Sequence, residues 1–283
     1  SAEAVKGDAH YWSGGNFRIE QLDGTLGNLS SPDDPIIRSL GDVSFNGYQG
    51  TSLHILAAGS VSIGTVVITG PETGDLGVDY LRENIQLSDG TEVSIDGSAR
   101  PTLDVRAGMR TEAVGLPGIT GNNFPADLFA NAAFDDFEPP EITATATSAD
   151  ITVGDVYFTD ANGSVSNGLV LLTNQHEPNT SLPGGNISIT GDGFFAFGIN
   201  ARGLGGAGGE VFIDARNDVS LVNGADINVG GAGGGGIKIN ASNLETSPGS
   251  VLVAGIRPNQ GSTDAQAGDI EILTTGAVNL IES

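Results

Sequence analysis

Two Gly-x-Gly-x-x-Gly runs, Gly203 to Gly208 and Gly231 to Gly236, have the spacing with which a glycine turn cradles a dinucleotide pyrophosphate. That chemistry needs a strand before the glycines and a helix after them, its N-terminus facing the phosphates. Here each run is followed by a strand-like stretch, Glu210 to Ile213 and Ile237 to Asn240. The glycines therefore read as turn residues. A second pattern is Asp160-Ala161-Asn162-Gly163-Ser164, in which Asp160, Asn162 and Ser164 have the opening spacing of an oxygen-ligand loop for calcium. The later bidentate Glu of such loops is missing, and solvated side chains are the plainer account. Asp33-Asp34 and Asp135-Asp136 invite the same two readings. Calcium is the one candidate cofactor.

Glycoside hydrolysis would need two carboxylates facing each other across a cleft. Asp135, Asp136 and Glu138 cluster, and Asp192 and Asp214 lie a similar distance apart to the glycine phrases described below. Polygalacturonase-like enzymes would also show paired Asp phrases, a His-Gly and an Arg-x-Lys, and none is present. The three histidines are scattered, and His54 reads as an outward strand residue between Leu53 and Ile55. Arg18, Arg82, Arg100, Arg106 and Arg110 do not group with Lys as in a lyase. No catalytic residue is assigned, and a polysaccharide lyase or hydrolase is kept as the alternative to a non-enzyme.

Thirty-five acidic against eleven basic residues give a formal charge of −24. A phosphate backbone needs a basic face, so nucleic acid is excluded as a partner. Anionic membranes are disfavoured, and cations become the natural counter-partners. With no cysteine, disulfides and Cys-based zinc sites are excluded. No apolar run approaches the ~18 residues of a membrane span, and the N-terminus lacks a basic-then-apolar leader. A secreted protein would then carry its export signal outside this stretch.

The elements that would position such residues come from a repeated phrase. Gly184-Gly185-Asn186-Ile187-Ser188-Ile189 returns as Gly208-Gly209-Glu210-Val211-Phe212-Ile213 and as Gly234-Gly235-Gly236-Ile237-Lys238-Ile239. With Ala for the first glycine, it returns again as Ala267-Gly268-Asp269-Ile270-Glu271-Ile272. The steps of 24, 26 and 33 residues have the length of a solenoid repeat. Short alternating pairs such as Val43 and Phe45, Val61 and Ile63, Val93 and Ile95, Leu103 and Val105, and Ile151 and Val153 extend the rhythm upstream. Asp89-Gly90 and Asp96-Gly97 are turn dipeptides. The reading is an all-β solenoid of about ten coils. Residues 1–108 and 149–283 form one continuous stack, and residues 109–148 an irregular excursion inserted in it. That excursion holds Phe124, Phe129, Phe134 and Phe137 and would form a short helix from Pro125, a surface segment on a coil flank, or a ligand lid.

Several phrases go beyond a generic coil: Asn16 to Ile37, Gly41 to Phe45 with Ser52 to Ala58, Gly90 to Gly108, and Gly168 to Ser181. Together they resemble the repeat region of cyanobacterial filamentous-haemagglutinin-like exoproteins of two-partner secretion, over roughly residues 16–190. The resemblance implies a right-handed parallel β-helix, passage through an outer-membrane transporter, and an extracellular or cell-surface location. The Asn-Pro-Asn-Gly signature of the family's secretion domain is not found, so an internal segment is expected. The expected role is a rigid stalk, sheath or filament that is structural or adhesive. Its partners would be a cell surface or glycan, or neighbouring solenoid copies and further coils. A bare end-to-end stacking fibre without ligand is the second alternative.

Overall fold

The structure is a computed structural model, and it describes residues 9–71, 81–115, 146–160, 163–164, 167–191, 197–203, 206–254 and 268–280. The chain winds between two parallel sheets in eight described circuits. The first holds β1 (His10–Ser13), β2 (Phe17–Arg18) and β3 (Asn28–Ser31); the second β4 (Ile36–Ser39) and β5 (Val43–Gly50); the third β6 (Leu53–Ala57) and β7 (Val61–Ile68). An antiparallel hairpin follows, β8 (Glu83–Gln86) and β9 (Glu92–Ile95). The fourth circuit has β10 (Thr102–Arg106), the four-residue helix α1 (Thr111–Val114), β11 (Ile151–Val153), β12 (Val156–Asp160) and β13 (Gly163–Ser164). The fifth has β14 (Leu169–Thr173), β15 (Ile187–Thr190) and β16 (Phe197–Asn200); the sixth β17 (Glu210–Asp214), β18 (Val219–Val222) and β19 (Asp226–Asn228). The seventh has β20 (Gly236–Ala241), β21 (Leu244–Thr246) and β22 (Leu252–Val253), and the eighth β23 (Asp269–Thr274) and β24 (Val278–Asn279).

The opening strand of every circuit enters the first sheet, in the order β1-β4-β6-β10-β14-β17-β20-β23, and the remaining strands of the circuits build the second. Alternation decides which side chains go inward. In the first sheet Ile37, Ile55, Val105, Leu172, Ile213, Ile239 and Ile272 stand in one register column. In the second, Val43, Val61, Ile151, Ile187, Val219 and Leu244 do the same. These columns face each other in a single core cluster. Each fully buried aliphatic contributes about 1.5–3 kcal/mol, and a column repeats that contribution at every circuit.

The first sheet is covered on its outer side as well. Ile85, Leu87, Val93 and Ile95 of the hairpin region pack on Leu169 and Leu171, with Phe212 at the margin. Val114 of α1, Leu81 and Met109 pack on Ile36, Leu40 and Leu56. All five residues of β6, β10 and β14 are therefore buried. Val93 and Ile95, expected as a coil strand, instead belong to this outer hairpin. With the hairpin β8–β9 lying outside the winding, the circuits number eight among the described residues, where about ten were expected.

The repeated phrase also divides between sheets. The strands after Gly208, Gly234 and Ala267 are register neighbours in the first sheet. Ile187 to Ile189 lies in the second, beside Ile151 to Val153 and Val219 to Leu221. The 24-residue step is thus not a circuit. Of the excursion expected over residues 109–148, which falls in sequence between β10 and β11, only residues 109–115 and 146–148 are described. The helix expected from Pro125 lies outside the described residues, and α1 sits upstream of it, closed by Gly115 at φ 82°.

Candidate functional site

Two regions carry polar groups that the winding itself does not require. The first is beneath the hairpin. The outward column of the first sheet runs Ile36, His54, Asp104, Leu171, so His54 and Asp104 are neighbours on adjacent strands. His54 Nδ1 lies 3.2 Å from Asp104 Oδ2, and His54 Nε2 lies 3.3 Å from Asp34 Oδ1. Arg106, one outward position along β10, donates from Nε to Asp104 Oδ1 at 2.9 Å and from Nη2 to Oδ2 at 2.7 Å. Its Nη1 reaches Glu83 of β8 at 2.5 Å. Asp34, His54, Asp104 and Arg106 are at most 1% exposed. Gly97 closes over them: a Cβ there would lie 2.8 Å from His54 Nε2, and its carbonyl accepts from Ser52 Oγ at 2.9 Å.

Burying charges costs several kcal/mol per ion unless they are paired, and here they are paired in a row. Burial alone would lower the His54 pKa, but Asp34 and Asp104 outweigh it and hold the ring at about 10 against an ordinary 6.5. Burial alone would raise Asp104, but Arg106 and His54 outweigh it and hold the carboxyl at about 2 against 3.8. Arg106 is pushed above its usual range by Asp104 and Glu83, against burial. The signs follow from linkage. His54 contributes fully below pH 6.5, and its contribution is lost as pH rises through 10; that of Asp104 is full above 3.8 and is lost as pH falls through 2. Urea unfolding should accordingly show a stability plateau from about pH 4 to 6.5 and a decline on the order of 4 kcal/mol by pH 10. In His54→Gln the plateau should drop and the alkaline decline should flatten. An alkaline limb as steep in the variant as in the parent would contradict this assignment.

The second region is the outer face of the second sheet. Just before its strands stands a row of Asx residues whose side chains tie each circuit to the next. Asn16 Oδ1 accepts from Asp42 N at 2.9 Å, and Asp42 Oδ1 from Ser60 N at 2.8 Å. Asp150 Oδ1 accepts from Asn186 N at 2.9 Å, and Asn243 Oδ1 from Ala277 N at 2.8 Å. These oxygens are consumed by the stack. One position along, the outward column is Ser44, Ser62, Thr152, Ser188 and Ser220, five hydroxyls in unbroken register. Beside it, where the wall bends, lies an open groove of about 790 Å³ that crosses the first five circuits. Side chains lining it include Asn28, Ser30, Asn46, Gln49, Thr65 and Thr152, and among the described residues Asp155 is its one carboxylate. At the bend Gly64 and Gly154 stack; a Cβ on Gly154 would lie 2.9 Å from the Gly64 carbonyl carbon.

The residues singled out from sequence are dispersed. Asn162 lies outside the described residues, as do Asp135, Asp136, Glu138 and Asp192. Asp160 and Ser164 are placed on the paired strands β12 and β13, with Asp160 opposite Gly163, so the calcium loop is described only as the two arms of a hairpin. No group of three His, Cys, Asp or Glu able to hold a metal ion occurs among the described residues. The two glycine runs pair with each other, Gly203 beside Gly231 and Gly208 N bonded to Gly234 O at 2.8 Å, and β17 and β20 follow. Asp34, taken as solvated, is fully buried, and His54, though outward, is covered. Asp214 is buried too, accepting from Ser88 N at 3.0 Å and from Asn240 Nδ2 at 3.3 Å. The sequence signal for this covered face was the continuous apolar run Leu169 to Leu172, which fits a strand buried on both sides.

No family model, curated protein or solved structure matches the chain. The fold and sites define a nearly all-β chain with two parallel sheets, one outer face sealed by a hairpin and the other open among the described residues.

Proposed function

We propose that the chain is a segment of a right-handed parallel β-helix that works outside the cell as a rigid, displayed rod, adhesive through its open face. Right-handedness rests on the rule that ~98% of parallel crossovers within one sheet have that hand. The observation that carries the adhesive reading is the column Ser44, Ser62, Thr152, Ser188 and Ser220. Its hydroxyls make no hydrogen bond within the described residues, whereas the neighbouring Asx row is fully engaged. Identical donors and acceptors repeated at the ~4.8 Å strand spacing suit many weak contacts to a repetitive surface, with avidity replacing a deep pocket. The resemblance to filamentous-haemagglutinin-like exoproteins agrees with this role, and export through an outer-membrane transporter is proposed on that basis.

Electron microscopy should show short rods, and beads carrying the protein should be retained on polysaccharide-coated or cell surfaces. The triple variant Ser62→Ala, Ser188→Ala, Ser220→Ala should keep its fold and lose retention. Equal retention of parent and variant would end the adhesive reading. End-to-end association is the second reading, favoured by Ile270, Leu273 and Val278, each 42–44% exposed on the eighth circuit. There the edge of β23 would pair with further coils or with another copy.

A further inference from the structure

We infer that the groove across the first five circuits is a binding site for an uncharged, extended polysaccharide lying parallel to the stack axis. This inference rests on the adhesive reading and adds to the hydroxyl column a neighbouring groove, which shares Thr152 with it, and a ligand class.

Four observations converge on that occupant. The groove is contributed by successive circuits, through residues 28–30, 46–49, 63–67, 152–155 and 190–191. It therefore runs across the strands for roughly 19 Å at the ~4.8 Å spacing of parallel strands, and suits a linear chain better than a compact metabolite. Beside the Asp155 carboxylate, its polar side chains include amides and hydroxyls: Asn28, Asn46 and Gln49 with Ser30, Thr65 and Thr152. Groups that both donate and accept match sugar hydroxyls, which also do both.

Val67, half-buried in the outward column with Ser30 and Gln49, also lines the groove, and it offers apolar contact to the C–H face of a pyranose. Among the described residues no Lys or Arg lines it, and the chain carries −24 overall, so a polyanionic glycan would be repelled. The floor is kept clear by Gly47, Gly64, Gly154 and Gly191. At Gly64 and Gly154 the strands of adjacent circuits approach too closely for any side chain. The same packing demand that bends the wall thus creates a trough that no side chain fills. One amide pair is already ordered along it, Asn46 Nδ2 donating to Asn28 Oδ1 at 2.9 Å, so part of the lining is held before any ligand arrives. Preorganised polar groups lower the cost of binding.

The test is titration of the whole chain with cellohexaose, xylohexaose and mannohexaose, with hexagalacturonate as the charged comparison, followed by calorimetry and backbone amide NMR. Saturable binding of at least one neutral hexasaccharide is expected below ~1 mM. Amide shifts should be confined to residues 28–30, 46–49, 63–67, 152–155 and 190–191. Thr152→Trp and Thr65→Trp, which fill the trough from its exposed side, should each weaken binding at least tenfold, while Glu92→Trp, exposed on the outer hairpin, should bind as the parent does. Absence of binding by all three neutral hexasaccharides would overturn the inference. So would preference for hexagalacturonate, or shifts lying elsewhere on the parent protein, a readout independent of whether the Trp variants fold. If surface retention persists undiminished in both trough-filling variants, the groove assignment fails and the adhesive reading stands. If a hexasaccharide binds in the groove but no surface retains the protein, the adhesive reading fails and the groove stands.

Discussion

Arg106→Met is expected to lower unfolding stability by about 3–5 kcal/mol, the usual result of removing one partner from a buried ion pair. Arg106 is 1% exposed and divides its guanidinium between two carboxylates, Asp104 on its own strand and Glu83 on the hairpin. Methionine fills much of the volume but leaves Asp104, fully buried, with His54 alone. It also cuts the polar tie between hairpin and sheet. For a domain whose total stability is on the order of 5–15 kcal/mol, such a loss is a large fraction. Arg106→Lys should recover little, because one ammonium cannot reproduce a planar fork reaching two carboxylates. The double variant Arg106→Met, Asp104→Leu should be more stable than Arg106→Met alone, since the stranded charge is gone. Urea titrations of the four proteins test this ordering, and the single variant Asp104→Leu completes the cycle that gives the coupling. A loss under ~1 kcal/mol for Arg106→Met would mean that water reaches the cluster and that the hairpin does not seal it.

The second large effect is expected at the corner entering the first sheet. Gly209, Gly235 and Gly268 occupy equivalent places in successive circuits, and each points its missing side chain at the circuit before. A Cβ on Gly235 would stand 2.7 Å from the Gly209 carbonyl oxygen, closer still to that of Val229, and 2.9 Å from Val229 Cβ. The obstacle is mainly backbone, which cannot rotate away. Gly235→Val would force the seventh circuit off the sixth and strain the bond from Gly236 N to Gly209 O at 3.0 Å. Overpacking usually costs 1–3 kcal/mol; with backbone on both sides, at least about 3 kcal/mol is expected here, together with early loss of protection in β20 and β23 by amide hydrogen exchange. Gly233→Ala is the control, because its Cβ would meet nothing closer than Ala207 at 3.6 Å. Equal tolerance of the two substitutions would show that the corner can open without cost.

The inner faces were legible because alternation reports directly on which side chain is buried. Val43 and Phe45, Val61 and Ile63, Ile151 and Val153 all face the core as their spacing indicates. Alternation does not say in which sheet a strand lies, and for that reason Gly184 to Ile189 passed for another copy of a phrase that belongs to the opposite wall. Circuit length gave no correction. In-register partners are as near in sequence as Ile37 and Ile55 and as far apart as Val61 and Ile151, so the spacing of two strands in sequence does not fix their register. The outer hairpin was the largest omission. Val93 and Ile95 have a coil strand's pattern, and nothing local distinguishes a strand that extends a wall from one that lies on it. His54 was placed on the correct side of its strand, but its environment depends on Gly97 and Glu83, which are distant in sequence. The groove was not legible at all, being made by what glycines lack.

The hairpin's course along the stack has a mechanical consequence. It joins Arg106 in the fourth circuit through Glu83, Asp214 in the sixth through Ser88, and Lys238 in the seventh through Asp89 at 2.6 Å. Parallel strands held only by their neighbours peel apart one layer at a time under axial tension, each layer failing at its own modest force. A strap fastened to several layers spreads the pull among them, so those layers must yield together. An adhesive rod anchored at one end and gripping along one side would meet tension of this kind, and on this chain the strap lies along the face opposite the proposed grip.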